Sequence, residues 1–160
     1  MIISIVGPSK SGKTTLLTKL VPLLRDMGLR VVVVKHHAHG DFEIDREGKD
    51  SWKLYNSGAD VVIASSVKMA FIRRMESDDL DYICEKYLKD YDLILTEGFN
   101  RAGKDRIVIL KDPKDLEFFK HGKILAVVCD SEINGYRMFK RDQVKEIARF
   151  IYELITNSNS

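Results

Sequence analysis

The eight residues Gly7 to Thr14, GPSKSGKT, constrain this chain more than any other feature. They follow an apolar run, Ile2 to Val6, and open a segment in which Leu16, Leu17, Leu20, Val21 and Leu24 recur at helical spacing. A strand that passes through a glycine-rich turn directly into a helix is the opening of a parallel α/β unit. The same turn gathers backbone N–H groups at the mouth of a helix, where hydrogen bonding and the helix dipole both favour an anion.

The pattern G-x-x-x-x-G-K-[ST] assigns a role to each position. Gly7 lets the chain turn off the strand, and Gly12 lets the backbone approach phosphates closely. Lys13 supplies a point charge for β- and γ-phosphates, Thr14 a hydroxyl for Mg2+, and Thr15 a further donor toward an α-phosphate. Pro8, Ser9, Lys10 and Ser11 complete the cradle, with Lys10 read as a solvated side chain. Such loops work with a carboxylate that organises Mg2+ or an attacking water. Asp92 and Glu97 bracket the apolar run DLILT. Ligands bind at the C-terminal ends of strands in open parallel sheets, so Glu97 is the expected magnesium partner of Thr14, and Asp92 is expected to be structural. The expectation is a site for a nucleoside triphosphate with Mg2+.

Other runs fill in an α/β chain. Leu29 to Val34 reads as a strand covered on both faces, and Asp60 to Ser66 with Lys68 to Met75 as an antiparallel hairpin. Asp78 to Lys89 has a helical apolar stripe, Arg106 to Leu110 and Ile124 to Cys129 read as strands, the latter as the last strand, and Lys140 to Thr156 as the closing helix. Ser51 to Ser57 and Pro113 to Lys120 read as short helices, and Pro22 is expected to kink the first helix. This alternation predicts a three-layer α/β/α sandwich like that of phosphate-loop nucleoside triphosphatases, with a mainly parallel sheet and a β-hairpin insertion. Residues 1–156 are expected to form a single domain followed by a polar tail, 157–160.

The segment from Lys35 to Ser51 reads as a functional loop, able to change shape around a γ-phosphate as switch loops do. Within it, Asp45 or Asp50 could hold an attacking water, although Asp50 also suits the cap of the following helix. His36, His37 and His39 are compatible with a metal site but do not specify one. For reading a base, Asp130 at the end of the last expected strand is the first candidate and Asp112 the second. No arginine finger is evident in cis, so slow turnover is expected; arginines exist nearby at Arg46, Arg73, Arg74, Arg101 and Arg106, and a partner or the second subunit could complete the site.

Bulk properties exclude several classes. A net charge of +2 gives no support for a protein that neutralises many nucleic-acid phosphates. No apolar run reaches the length of about 18 residues that spans a membrane. Cys84 and Cys129 form no metal spacing, and MIISIVG lacks the basic region of a signal peptide. The expected location is cytoplasmic.

Three segments together resemble one known family. They are GPSKSGKTTLLTKL, the stretch VKHHAHGDFEIDREGKDS from Val34 to Ser51, and DLILTEGF from Asp92 to Phe99. The order KHxxH, FxxDxxGKDS, EGF is similar to that of the molybdopterin-guanine dinucleotide biosynthesis adaptor proteins, the MobB family. Two residues, Gly40 and Asp41, separate KHxxH from Phe42 here, where the family usually has one. The resemblance implies a GTP-binding accessory protein with weak GTPase activity and a homodimeric state. Its implied partners are the molybdenum cofactor guanylyltransferase and the pterin cofactor or the enzyme that carries it. Lys13, Glu97 and Asp45 are then the expected catalytic residues, and Gly7 to Thr15 with Asp130 the nucleotide-binding ones. The rival expectation is a small-molecule or nucleoside kinase using the same loop. Such enzymes present an arginine-rich lid, and no arginine-dense helical segment appears between Asp78 and Lys120.

Overall fold

In the computed structural model, which describes residues 1–37 and 40–158, the chain forms two compact units. The first comprises residues 1–36 and 79–158, the second residues 37–78.

The first unit is organised by a six-stranded sheet. Its strands are β1 (Ile2–Val6), β2 (Val31–Lys35), β5 (Leu93–Glu97), β6 (Arg106–Ile109), β7 (Ile124–Val128) and β8 (Met138–Phe139), in the order β2-β5-β1-β6-β7-β8. Every neighbouring pair is parallel, so the C-terminal ends of all the strands share one edge. Alternation along each strand assigns its side chains to two layers. Ile3 and Ile5, Leu93 and Leu95, Ile107 and Ile109, and Ala126 and Val128 pack with α1 (Lys13–Asp26) and α4 (Val144–Ser158). On the opposite face Val6, Val108 and Val127 meet Leu116 and Phe119 of a short 3-10 helix, Pro113–Phe119. Ile94 on that face meets Leu80 and Cys84 of α3 (Leu80–Tyr87). The expected three layers and mainly parallel sheet are present.

Within the central sheet, Thr96 Oγ1 donates to Ser4 Oγ at 3.0 Å, which satisfies a buried hydroxyl pair across β1 and β5. At the start of β5, Asp92 takes three hydrogen bonds from Arg30, one from its backbone N–H at 2.7 Å and two from the guanidinium at 2.8 and 3.1 Å. Those bonds hold the Asp92 carboxyl down to about 2. Asp92 therefore ties strand starts together, far from the edge where ligands sit.

Several expectations are corrected. β2 is an edge strand with Val33 exposed, because an unbroken valine run reads alike at the centre and the edge of a sheet. β7 is followed by β8, two residues that pair in parallel with it and are too short to carry a periodic signal. Pro22 lies inside one uninterrupted helix on its exposed side, where the missing N–H is tolerated. α4 continues through Asn157 and Ser158, so the polar composition there does not end the helix. Asp50 is the first residue of α2 (Asp50–Asn56), and the cap position falls on Lys49.

In the second unit, α2 precedes an antiparallel hairpin of β3 (Val61–Ala64) and β4 (Met69–Ile72). Val62 faces Phe71 and Ala64 faces Met69 across it. Arg74 anchors the hairpin to α2: its guanidinium lies 4.1 Å from the centre of the Tyr55 ring and donates to the Tyr55 carbonyl at 2.5 Å.

Candidate functional site

Topology brings the phosphate-loop residues and Glu97 together. β1 and β5 are direct neighbours with Ile5 in register with Glu97, so the turn leaving β1 and the end of β5 open on the same edge. β2 adds Lys35 in register with Glu97, its Nζ 4.0 Å from Oε1.

The turn from Gly7 to Gly12 is closed by Ser11 N–H donating to the Pro8 carbonyl at 3.2 Å. It sits against β6 so tightly that a Cβ on Gly7 would stand 2.1 Å from the Ile109 carbonyl oxygen, which no other residue could accept without moving the strand. Lys13 folds back over the turn and donates to the carbonyls of Gly7 and Pro8 at 3.0 and 2.7 Å. Partial burial lowers its pKa, opposed by the charge of Glu97. From the first turn of α1, Thr14 Oγ1 donates to Glu97 Oε1 at 2.8 Å. The fully buried Ser11 Oγ has no hydrogen-bond partner within the protein.

Two cavities open here. One of about 230 Å³ is lined by Lys10, Ser11, Gly12, Lys13, Thr14, Thr15 and Glu97. The other, about 310 Å³, shares Lys10, Ser11, Gly12 and Thr15 with it, has an apolar floor that includes Leu16, Ile109 and Val128, and is rimmed by Lys19, Lys111 and Arg141. Pro8 is half-buried and Ser9 exposed at the top of the turn. Lys10 adopts a φ of +58°, an uncommon left-handed conformation, and lines both cavities rather than standing apart from them.

The residues after Glu97 are held in an unusual backbone. Gly98 has a φ of +94° and Phe99 a φ of +53°. A Cβ on Gly98 would stand 2.9 Å from the His36 Cβ, and the Phe99 ring lies 4.6 Å from the His36 ring. The sequence EGF thus encodes a left-handed elbow that turns away from the sheet beside His36, where the long loop begins.

Other expected residues have partners of their own. Asp45 belongs to the second unit, where its Oδ1 accepts from Arg46 N–H at 2.7 Å and the Ser51 hydroxyl holds its carboxyl below the usual range. Asp130 follows β7 at the ligand edge and is paired with Arg141, Nε to Oδ2 3.4 Å. Asp112 accepts from Lys114 N–H at 2.9 Å and caps the 3-10 helix, which explains it without a ligand. Arg106 is fully buried and donates to the carbonyls of Lys104, Asn100, Phe119 and His121. It is a clamp on the connections around β6 and is not free to reach a phosphate. His39 lies outside the described residues, and among the described residues no three His, Cys, Asp or Glu side chains gather as a metal site would require. Arg141 was not singled out from the sequence, because it lies 130 residues from the turn it touches and belongs to no motif.

A lysine wrapped over a glycine turn, a threonine paired with a strand-end carboxylate and a buried serine hydroxyl with no partner thus stand together at the C-terminal edge of the parallel sheet. The family model for molybdopterin guanine dinucleotide synthesis protein B matches residues 2–130, and the chain belongs to that family. A molybdopterin-guanine dinucleotide biosynthesis adapter protein of Escherichia coli is 32% identical over 162 residues, covering 94% of this chain and 91% of the relative. A crystal structure of a molybdopterin-guanine biosynthesis protein B is 57% identical, with a TM-score of 0.88 over 98% of this chain and 99% of that one. The Bacillus subtilis MobB structure is 28% identical, with a TM-score of 0.76 over 93% and 96% of the two chains.

Proposed function

We propose that the chain is an adapter of molybdopterin-guanine dinucleotide biosynthesis that binds GTP with Mg2+ and hydrolyses it slowly. The adapter role rests on family membership and on relatives named as adapter proteins of that biosynthesis. The nucleotide reading rests on one contact above all, the 2.8 Å bond between Thr14 and Glu97 beside Lys13. A hydroxyl and a carboxylate at this spacing form a hard oxygen pair suited to Mg2+. When bound, the ion supplies positive charge against the β- and γ-phosphates. Lys13 already donates to loop carbonyls and exchanges them for phosphate oxygens with little rearrangement. The buried Ser11 hydroxyl gains a partner when the cradle is filled. Lys35 offsets phosphate charge, and Asp130 is the base-reading candidate. Slow turnover is expected because no arginine finger is evident within the chain: Arg106 is locked in the interior and Arg141 is held on the Ser11 and Leu110 carbonyls, so a partner or a second copy would complete the site.

The partners in this reading are the guanylyltransferase of the molybdenum cofactor and the pterin or its carrier, in the cytoplasm. Among the described residues, no helix is long and apolar enough to cross a membrane. The protein itself acts as a homodimer. In support, the hairpin exposes Val62, Met69 and Phe71, and a two-stranded hairpin alone is marginally stable in water.

Isothermal titration of GTP, ATP and XTP with Mg2+ tests the nucleotide reading. GTP is expected to bind tightest, Lys13→Ala to abolish the heat, and Asp130→Asn to shift preference toward XTP. Absence of heat from every triphosphate with the native protein would sink it.

A further inference from the structure

Arg141 makes the longest-range polar connections of the site. Its Nη1 donates to the Ser11 carbonyl at 2.6 Å, its Nη2 to the Leu110 carbonyl, and its Nε faces Asp130 Oδ2 at 3.4 Å. One planar group therefore holds the phosphate loop, the residue just after β6 and the second residue after β7. Nη1 also lies 3.3 Å from where a Cβ on Gly12 would stand, so the guanidinium packs directly on the turn. The residue stands just before α4, beyond the stretch that the family model matches.

Holding a cation on two neutral carbonyls while its carboxylate partner Asp130 is largely exposed is a weak way to build stability. Its effect is geometric. Arginine presents five donors in a fixed fork, so the relative positions of the groups it bonds become set by one rigid plane. Of the groups it joins, Ser11 lines the 310 Å³ cavity together with Arg141 itself, and that cavity's apolar floor and cationic rim suit a flat heterocycle and ribose joined to the phosphates next door.

We infer that Arg141 is a positioning residue for the nucleoside half of the ligand, one that fixes the Asp130 carboxylate and the phosphate loop in a single arrangement. This rests on the nucleotide reading above and deepens it. Because the same fork touches both halves of the site, a ligand carrying a base gains from Arg141 far more than a bare polyphosphate does.

The test is calorimetric titration with Mg2+ of GTP and of tripolyphosphate, which has the phosphates but no nucleoside. Wild type, Lys13→Ala, Arg141→Ala and Arg141→Lys are compared, with circular dichroism to verify folding. Arg141→Ala is expected to weaken GTP by roughly tenfold to a hundredfold and tripolyphosphate by about threefold. Arg141→Lys keeps the charge but not the fork, and is expected to follow alanine for GTP. It serves in place of Arg141→Ala should that variant fail to fold. Lys13→Ala is expected to lose both ligands. Equal losses of GTP and tripolyphosphate, or native GTP affinity in Arg141→Lys, overturn the positioning role while leaving the nucleotide reading intact. Failure of the wild type to bind either ligand overturns both.

Discussion

In the first unit, Ile3, Ile5, Leu93, Leu95 and Ile107 are wholly removed from solvent, whereas among the described residues of the second unit Val61 alone of the large apolar side chains is buried. Both units are rich in β-branched and aromatic residues. They differ in what covers those residues: helices and a 3-10 turn close both faces of the first sheet, while the hairpin carries Val62, Met69 and Phe71 largely bare. Exposed apolar surface of this kind is uncommon unless something docks on it. The comparison teaches a division of labour. One unit closes a core around the strands that carry the cradle, and the other leaves most of its large apolar side chains uncovered.

That division can be broken experimentally. The largest effect is expected in the first core, where Leu95→Ala removes a fully buried side chain and should cost about 3 kcal/mol in denaturant unfolding. If it cost no more than a hairpin substitution, the contrast between the units would be lost. Next, on the proposed nucleotide and dimer readings, Lys13→Ala should abolish measurable GTP binding while leaving the sedimentation coefficient unchanged. The paired substitution Val62→Ser with Phe71→Ser should do the reverse, giving a monomer that binds GTP normally. Its folding stability, read as a monomer, should change by only about 0.5 kcal/mol. A monomer unable to bind nucleotide would show that the site needs the second copy.

The smallest effect belongs to the Arg30–Asp92 pair at the far edge of the sheet. The Asp92 carboxyl is held below its ordinary value, so its stabilisation is present above about pH 4 and is lost as pH falls toward about pH 2. The difference in unfolding midpoint between wild type and Arg30→Ala should therefore shrink over that interval. A difference that persisted unchanged at the acid end would mean the pair contributes nothing through charge.

What the sequence disclosed followed the range of each signal. Strand β1, the turn and α1 were legible because a continuous apolar run, a glycine pattern and a period-3.6 run follow one another directly. Glu97 was legible because a strand-end position and a chemical need coincide. The edge position of β2 was not, since Val31 to Val34 would look the same beside two neighbours or one. The burial of Arg106 was not legible, because arginine belongs by default at the surface and only tertiary structure reveals four carbonyls waiting for it. Asp112 looked like a base reader and is a cap, two uses of one side chain that a local pattern does not separate. Arg141 carried no signal, for its importance lies in three partners distant in the chain.

The near-contact between Gly7 and the Ile109 carbonyl has a practical reach. A single hydrogen atom at residue 7 keeps two strands at their hydrogen-bonding distance and keeps the cradle open at the same time. Grafting the eight-residue loop onto another scaffold would thus transfer the motif without its seat, unless the neighbouring strand came with it. A methyl group added at that spot should loosen sheet and cradle together, visible as faster amide exchange along the seam.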